Sequence, residues 1–324
     1  MTSALTSQPA DGRVVVVGLG ADGWTGLPVP VQRRLTDASV VLGSERQLAL
    51  LPPVEGQRRE AWGRPFAESL QGLLATHAAS APVVLASGDP LVSGVAGTLV
   101  RLLGPASVEV VPAVSSVALA RARMGWPEET CAVVTVVGRR VERVLRELAP
   151  GRRVVVLSSD ASTPAAVAGL LVGSGHGATR MTALSDLGAP QEDRLVGTAT
   201  TWDHDVAALH VLCLEVEGDT PSASWAAGLP DEVFDHDGQL TKRDLRASAL
   251  SRLAPRPGEL LWDVGAGAGS VGIEWMRAHA TCRTVAVERD PVRAARVRTN
   301  AARLGVPDLE VVEGGAPDAL TGLP

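Results

Sequence analysis

Seven short, valine-rich apolar runs pace the chain: residues 13–17, 38–42, 82–86, 107–111, 132–137, 153–157 and 209–216. Helical patterns over 65–79, 94–103, 116–124, 140–149 and 163–172 separate several of them. A strand that is apolar along its whole length is buried on both faces, which requires helices on both sides of a mostly parallel sheet. The alternation therefore predicts an α/β fold. Residues 218–232, GDTPSASWAAGLPDE, drop the apolar period and gather Gly, Pro and Ser, so they read as a linker. Trp202 and Trp225 near it read as ordinary buried aromatics.

Beyond the linker the pattern resumes as β-α-β-α-β: LLWDVGAGAG, a helix over 270–280, a strand over 284–288, a helix over 291–304 and a strand over 308–312. Before it, 241–253 has helical spacing, with Leu245, Ala249, Leu250 and Leu253 on one face. Thr241 is the expected N-cap, Asp244 its capping-box acid, and Pro255 and Pro257 the stop. The expected organisation is a flexible tail over 1–12, a domain over 13–217, a linker over 218–232 and a second domain over 233–324.

Composition enters as exclusion. No apolar run approaches the roughly 20 residues that span a bilayer. The start, MTSALTSQPADGR, has no basic region followed by an apolar one, so a cytoplasmic location is expected. A net charge of −6 lacks the basic surplus of a nucleic-acid binder. Cys131, Cys213 and Cys282 are too far apart for a disulfide framework or zinc site, and the histidines form no cluster, so no metal is expected. Lys242 is the single lysine in a chain rich in arginine, in the manner of a GC-rich genome.

The strongest local signal is Asp263-Val-Gly265-Ala-Gly267-Ala-Gly269, directly after a strand and opening a helix. Glycines let a backbone turn tightly and approach a ligand. Glu288 ends the next strand, 19 residues after Gly269, placed to accept ribose hydroxyls. A pyrophosphate wants a helix N-terminus free of anions. An aspartate just ahead of the glycines suits a cation, so the sulfonium of S-adenosylmethionine (SAM) fits better than a dinucleotide. An unliganded turn stays open as the plain alternative.

Gly18-Leu-Gly20-Ala-Asp-Gly23 matches a dinucleotide fingerprint, with Asp37 and Glu45 at suitable distances. The prolines of the following WTGLPVPVQ argue against a helix opening there, so a structural turn is at least as good a reading. Gly88-Asp89-Pro90 follows a strand, where α/β sheets bind ligands, although Asp-Pro is also common in plain turns. Ser115 and Ser116 follow another strand and fit a helix N-cap equally well.

Taken together, these segments resemble a known family. VVVVGLGADG, LASGDPLVSG, VEVVPAVSSVALARARMGWP and LSDLGAPQEDRLVGT resemble the two-lobed tetrapyrrole (corrin/porphyrin) methyltransferases. LPDEVFDHDGQLTKRDLRASALSRL, LLWDVGAGAGSVGIEW and VAVERDPVRAARVRTNAARLGV resemble the decarboxylating precorrin methyltransferases of the class I SAM fold. In this order they resemble the precorrin-6Y C-5,C-15-methyltransferase (decarboxylating) family of cobalamin biosynthesis. The resemblance implies SAM as cofactor, a tetrapyrrole substrate, a homodimer or higher homo-oligomer, and no nucleic-acid or membrane partner. It implies C-5 methylation by the first domain, and C-15 methylation with removal of the C-12 acetate carboxyl by the second.

It also implies roles for residues. Gly88, Asp89, Pro90, Ser115, Ser116, Ser159 and Ala183 would line a SAM pocket in the first domain, with Gly18 and Gly20 bordering the tetrapyrrole. Thr241, Asp263, Gly265, Gly267, Gly269 and Glu288 would hold SAM in the second, with Lys242 at the substrate mouth. No general base is assigned. Gly315 stands where that family usually carries an acid near adenine. From Leu260 onward the chain has room for about three strands, so a Rossmann-like second domain of incomplete sheet, with its decarboxylating activity lost or impaired, is expected. The rival functions are methylation of another tetrapyrrole, of RNA or of protein, and a non-catalytic nucleotide-binding scaffold.

Overall fold

The computed structural model describes residues 13–218, 220 and 222–324; the tail expected over 1–12 lies outside them. The first sheet has order β3-β2-β4-β1-β5 and is parallel throughout. Its strands are β1 (Val14–Leu19), β2 (Val40–Gly43), β3 (Arg58–Ala61), β4 (Val83–Ser87) and β5 (Val108–Val111). Val14 and Val16 enter one hydrophobic core while Val15 and Val17 enter another. Successive side chains of a strand point to opposite faces, so the unbroken valine run feeds both cores at once. The helices are α1 (Val29–Asp37), α2 (Glu45–Ala49), α3 (Phe66–Thr76), α4 (Val95–Leu103) and α5 (Ser116–Met124).

A helix does open after the first glycine loop, against the sequence expectation. Pro28 is the N-cap of α1 and Pro30 falls in its first turn, where a helix has no use for the missing N–H.

The second sheet is mixed, with order β6-β7-β10-β8-β9: β6 (Cys131–Thr135), β7 (Arg153–Leu157), β8 (Arg180–Ser185), β9 (Asp193–Thr198) and β10 (His210–Glu215). β6 and β7 are parallel, while β7 and β10 are antiparallel. α6 (Thr163–Gly173) packs through Val167 and Leu171 into its core. Residues 141–147 form 3-10 turns rather than the expected α-helix. The third sheet is parallel, β11 (Leu260–Val264), β12 (Arg283–Glu288) and β13 (Glu310–Glu313) in that order, with α7 (Arg243–Leu253), α8 (Ser270–Ala278) and α9 (Pro291–Arg303).

α7 departs from its sequence reading twice. Lys242, not Thr241, is the N-cap, and no capping-box bond forms. Leu245 and Leu253 are exposed, and the buried side is Arg246 and Leu250. The helix docks through a buried guanidinium rather than through a leucine stripe.

The described residues divide into two compact units, those of 13–126 with 184–193, and those of 127–183 with 194–324. In the second unit the 3-10 segment of the mixed sheet meets the end of α9. A Cβ on Gly305 would lie 2.2 Å from the Arg146 nitrogen, so only glycine allows that approach. Arg143 pairs with Asp308 at 2.5 Å, and the Trp225 indole donates to the Arg146 carbonyl at 3.1 Å. Among the described residues no helix is long and apolar enough to cross a membrane.

Candidate functional site

β11 ends at Val264, the glycine loop follows, and α8 starts at Ser270. Beside the loop lies a cavity of about 630 Å³, within the range of small-molecule pockets. Gly265, Gly267, Thr241, Lys242 and Glu288 all line it. The Glu288 carboxylate is buried. One oxygen accepts from the Gly267 N–H at 2.8 Å and the other from the Asp290 N–H at 3.0 Å. Glu288 thereby fixes the glycine loop and the entry to α9 together. A carboxylate holds about four acceptor sites, so capacity remains for a ligand hydroxyl.

Asp263 and Gly269 stand behind this cavity, not on its wall. Asp263 accepts from the Gly272 N–H at 3.1 Å. Burial lifts its carboxyl above the ordinary range, the Gly272 bond opposes this, and the charge of Glu288 adds to the rise. A Cβ on Gly269 would lie 2.7 Å from Val297, so that glycine lets α8 pack on α9. Gly265 and Gly315 are different: a Cβ on either would meet nothing within 4 Å. Their open space faces the cavity. Glu288 on the wall suits the ribose hydroxyls of a nucleoside such as SAM, with Lys242, Arg289 and Arg293 also lining the cavity, and the residues present fit it.

In the first unit, the ends of β1, β4 and β5 converge. A Cβ on Gly18 would lie 2.1 Å from the Gly88 carbonyl oxygen and 2.6 Å from the Ala113 nitrogen. Gly88, with φ of +55°, lies against Val114 and Ser115. The Gly-Asp-Pro turn and the serine turn are thus brought side by side. Asp89 accepts from the Leu91 N–H at 2.9 Å, and Ser115 caps α5 through the Ala118 N–H at 3.1 Å. Pro90 is buried and Ser116 opens the helix. A second cavity, of about 540 Å³, is lined by Gly18, Gly20, Asp22, Leu119 and Leu187.

Ser159 and Ala183 belong to the other compact unit. The Ser159 hydroxyl donates to the Val136 carbonyl at 2.5 Å, and Ala183 is fully buried in the second sheet's core.

Sequence reasoning passed over several polar residues at these strand ends. Arg46 and Gln47 both donate to the Ser87 hydroxyl, at 2.8 and 3.1 Å, next to Gly88. Burial lowers the Arg46 pKa, and Asp186 opposes this. The signal was available: Ser44-Glu-Arg-Gln47 is a capping box, which forms and presents Arg46 at the end of β2. Asp231 and Arg246, discussed below, had no such local signature.

Residues 13–203 match the family of tetrapyrrole (corrin/porphyrin) methylases, and residues 232–324 match a precorrin methyltransferase domain. A precorrin-6Y C(5,15)-methyltransferase [decarboxylating] from Sinorhizobium sp is 43% identical over all of this chain and 79% of its own length. The protein of that name from Mycobacterium tuberculosis CDC 1551 is 44% identical over 94% of this chain and 77% of its own. The solved methyltransferase CobJ, 19% identical, covers 64% of this chain and 95% of its own with a TM-score of 0.53, which shows a shared fold.

Proposed function

Because the chain belongs to the precorrin-6Y C(5,15)-methyltransferase (decarboxylating) family and carries both of its domain types, we propose that it is a SAM-dependent methyltransferase of cobalamin biosynthesis, with one methyl-transfer site in each domain and a precorrin as substrate. The observation that carries this reading is the Glu288–Gly267 bond on the wall of a cavity that also gathers Thr241 and Lys242.

When bound, SAM supplies a methyl group activated on a sulfonium. The residues of the chain bind, orient and shield. At the third sheet, Gly265 and Gly267 bring the backbone close to the ligand, Glu288 accepts from ribose hydroxyls, and Asp263 supports the loop from behind. Thr241 and Lys242 border the mouth. At the first sheet, Gly88, Asp89, Pro90, Ser115 and Ser116 form the corresponding cofactor wall. Gly18 and Gly20 border the cavity assigned to the macrocycle. A reduced tetrapyrrole carbon is nucleophilic already, so alignment and exclusion of water do most of the work, and no general base is assigned. The same reading assigns residues 13–217 and 233–324 as the two domains, and a cytoplasmic homodimer or higher homo-oligomer as the working form.

The test is mass spectrometry of precorrin-6Y incubated with SAM and the chain. A gain of one methyl reports one working site, and two methyls with loss of carbon dioxide report both. No methyl gain from a folded chain that binds SAM would contradict the proposal.

A further inference from the structure

Four charged side chains run in a line from the core of the second unit to the mouth of its cavity. Glu274 on α8 is buried and accepts from the Gly228 and Leu229 N–H groups at 2.5 and 3.0 Å. Arg246 on α7, fully buried, donates to Glu274 at 2.6 Å and to one oxygen of Asp231 at 3.2 Å. The Lys242 ammonium lies 3.5 Å from the other oxygen of Asp231.

The charges along this line dictate its use. Burying a guanidinium requires a carboxylate partner, and Glu274 already supplies one. Asp231 therefore brings a second negative charge, which leaves the pair Arg246–Glu274 balanced and is balanced in turn by Lys242. The Lys242 side chain is 63% exposed and Asp231 20%. An ammonium has three donors. Asp231 lies beside one part of it, and Lys242 also lines the cavity. Lys242 is thus anchored by Asp231 and open to an anion.

We propose that Lys242 receives a carboxylate of the tetrapyrrole substrate, and that Asp231, fixed by Arg246 and Glu274, is the positioning residue that aims it. This rests on the proposed methyltransferase reading of the same cavity. The competing assignment for Lys242 is the carboxylate of the cofactor's own methionine portion.

The single lysine makes the test selective. Lysine ¹³C-labelled at Cε and incorporated into the full chain reports Lys242 alone and keeps all three of its N–H donors. The Lys242 signal should stay in place with S-adenosylhomocysteine and move on addition of precorrin-6Y. Asp231→Asn keeps an acceptor for Arg246 but removes the charge facing Lys242. It should raise the apparent Kd for precorrin-6Y read from this signal by about fivefold, with S-adenosylhomocysteine affinity by calorimetry unchanged. A signal that moves with S-adenosylhomocysteine, or with neither ligand, overturns the inference. So does an Asp231→Asn chain that binds precorrin-6Y normally or loses both ligands together. If the unmutated chain takes up no S-adenosylhomocysteine, the methyltransferase reading falls and this inference falls with it.

Discussion

The first-sheet and third-sheet loops share a sequence idea, glycines after a strand, and use it in opposite ways. At the first sheet the glycine serves the protein: Gly18 has no side chain because the Gly88 carbonyl and Ala113 amide occupy that space. At the third sheet Gly265 faces emptiness, and the loop is held instead by carboxylates gripping N–H groups, Glu288 on Gly267 and Asp263 on Gly272. The first rim is assembled by backbone packing, while the third-sheet rim adds charge to the packing that Gly269 allows. Glycine spacing alone cannot tell these cases apart, because it records only that a Cβ is unwelcome and not what excludes it.

The comparison can be broken by substitution. Glu274→Gln should have the largest effect, since it weakens the partner of a fully buried guanidinium; about 3–5 kcal/mol of stability is expected to go, read by chemical denaturation. Gly18→Ala should cost nearly as much, about 3 kcal/mol, because the obstacle is backbone and cannot swing aside. Gly265→Ala has room for its methyl but holds φ at +77°, so about 1–2 kcal/mol is expected, with a measurable loss of S-adenosylhomocysteine affinity. Equal stability losses at Gly18 and Gly265 would erase the distinction between the two loops.

The smallest effect sharpens it. Asp237 lies well below its ordinary 3.8 because Arg293 donates to it, aided by the Gln239 N–H and Arg296. A carboxyl depressed in the folded state contributes stability that is complete above the unfolded value and lost as pH falls through the folded one. The cavity mouth at Gln239 should therefore loosen below about pH 4. Asp237→Asn should flatten that acid dependence of S-adenosylhomocysteine binding at the third sheet. An unchanged acid profile would remove Asp237 from the account.

The parallel α/β architecture was legible because valine runs feed two cores at once. The strands without a sequence signal include β3, RREA, and β9, DRLVGT, which lie at sheet edges and keep little apolar pattern. At the third-sheet site, the glycines, Glu288, Thr241 and Lys242 were readable as a set. Asp231 and Arg246 were not, because their roles come from the fold of the 228–246 segment onto α8. A leucine pattern also hid the buried side of α7, since periodicity assigns faces by hydrophobicity and Arg246 is buried by its ion pairs.

The central claim is that the third-sheet loop takes the adenosine portion shared by SAM and its demethylated product rather than the pyrophosphate of a dinucleotide. Calorimetry of the 324-residue chain with S-adenosylhomocysteine and with NAD, repeated on Glu288→Gln, tests it most directly. The account predicts S-adenosylhomocysteine binding, one component of which is weakened by about tenfold in the variant, and no heat from NAD. Uptake of NAD with none of S-adenosylhomocysteine would contradict it.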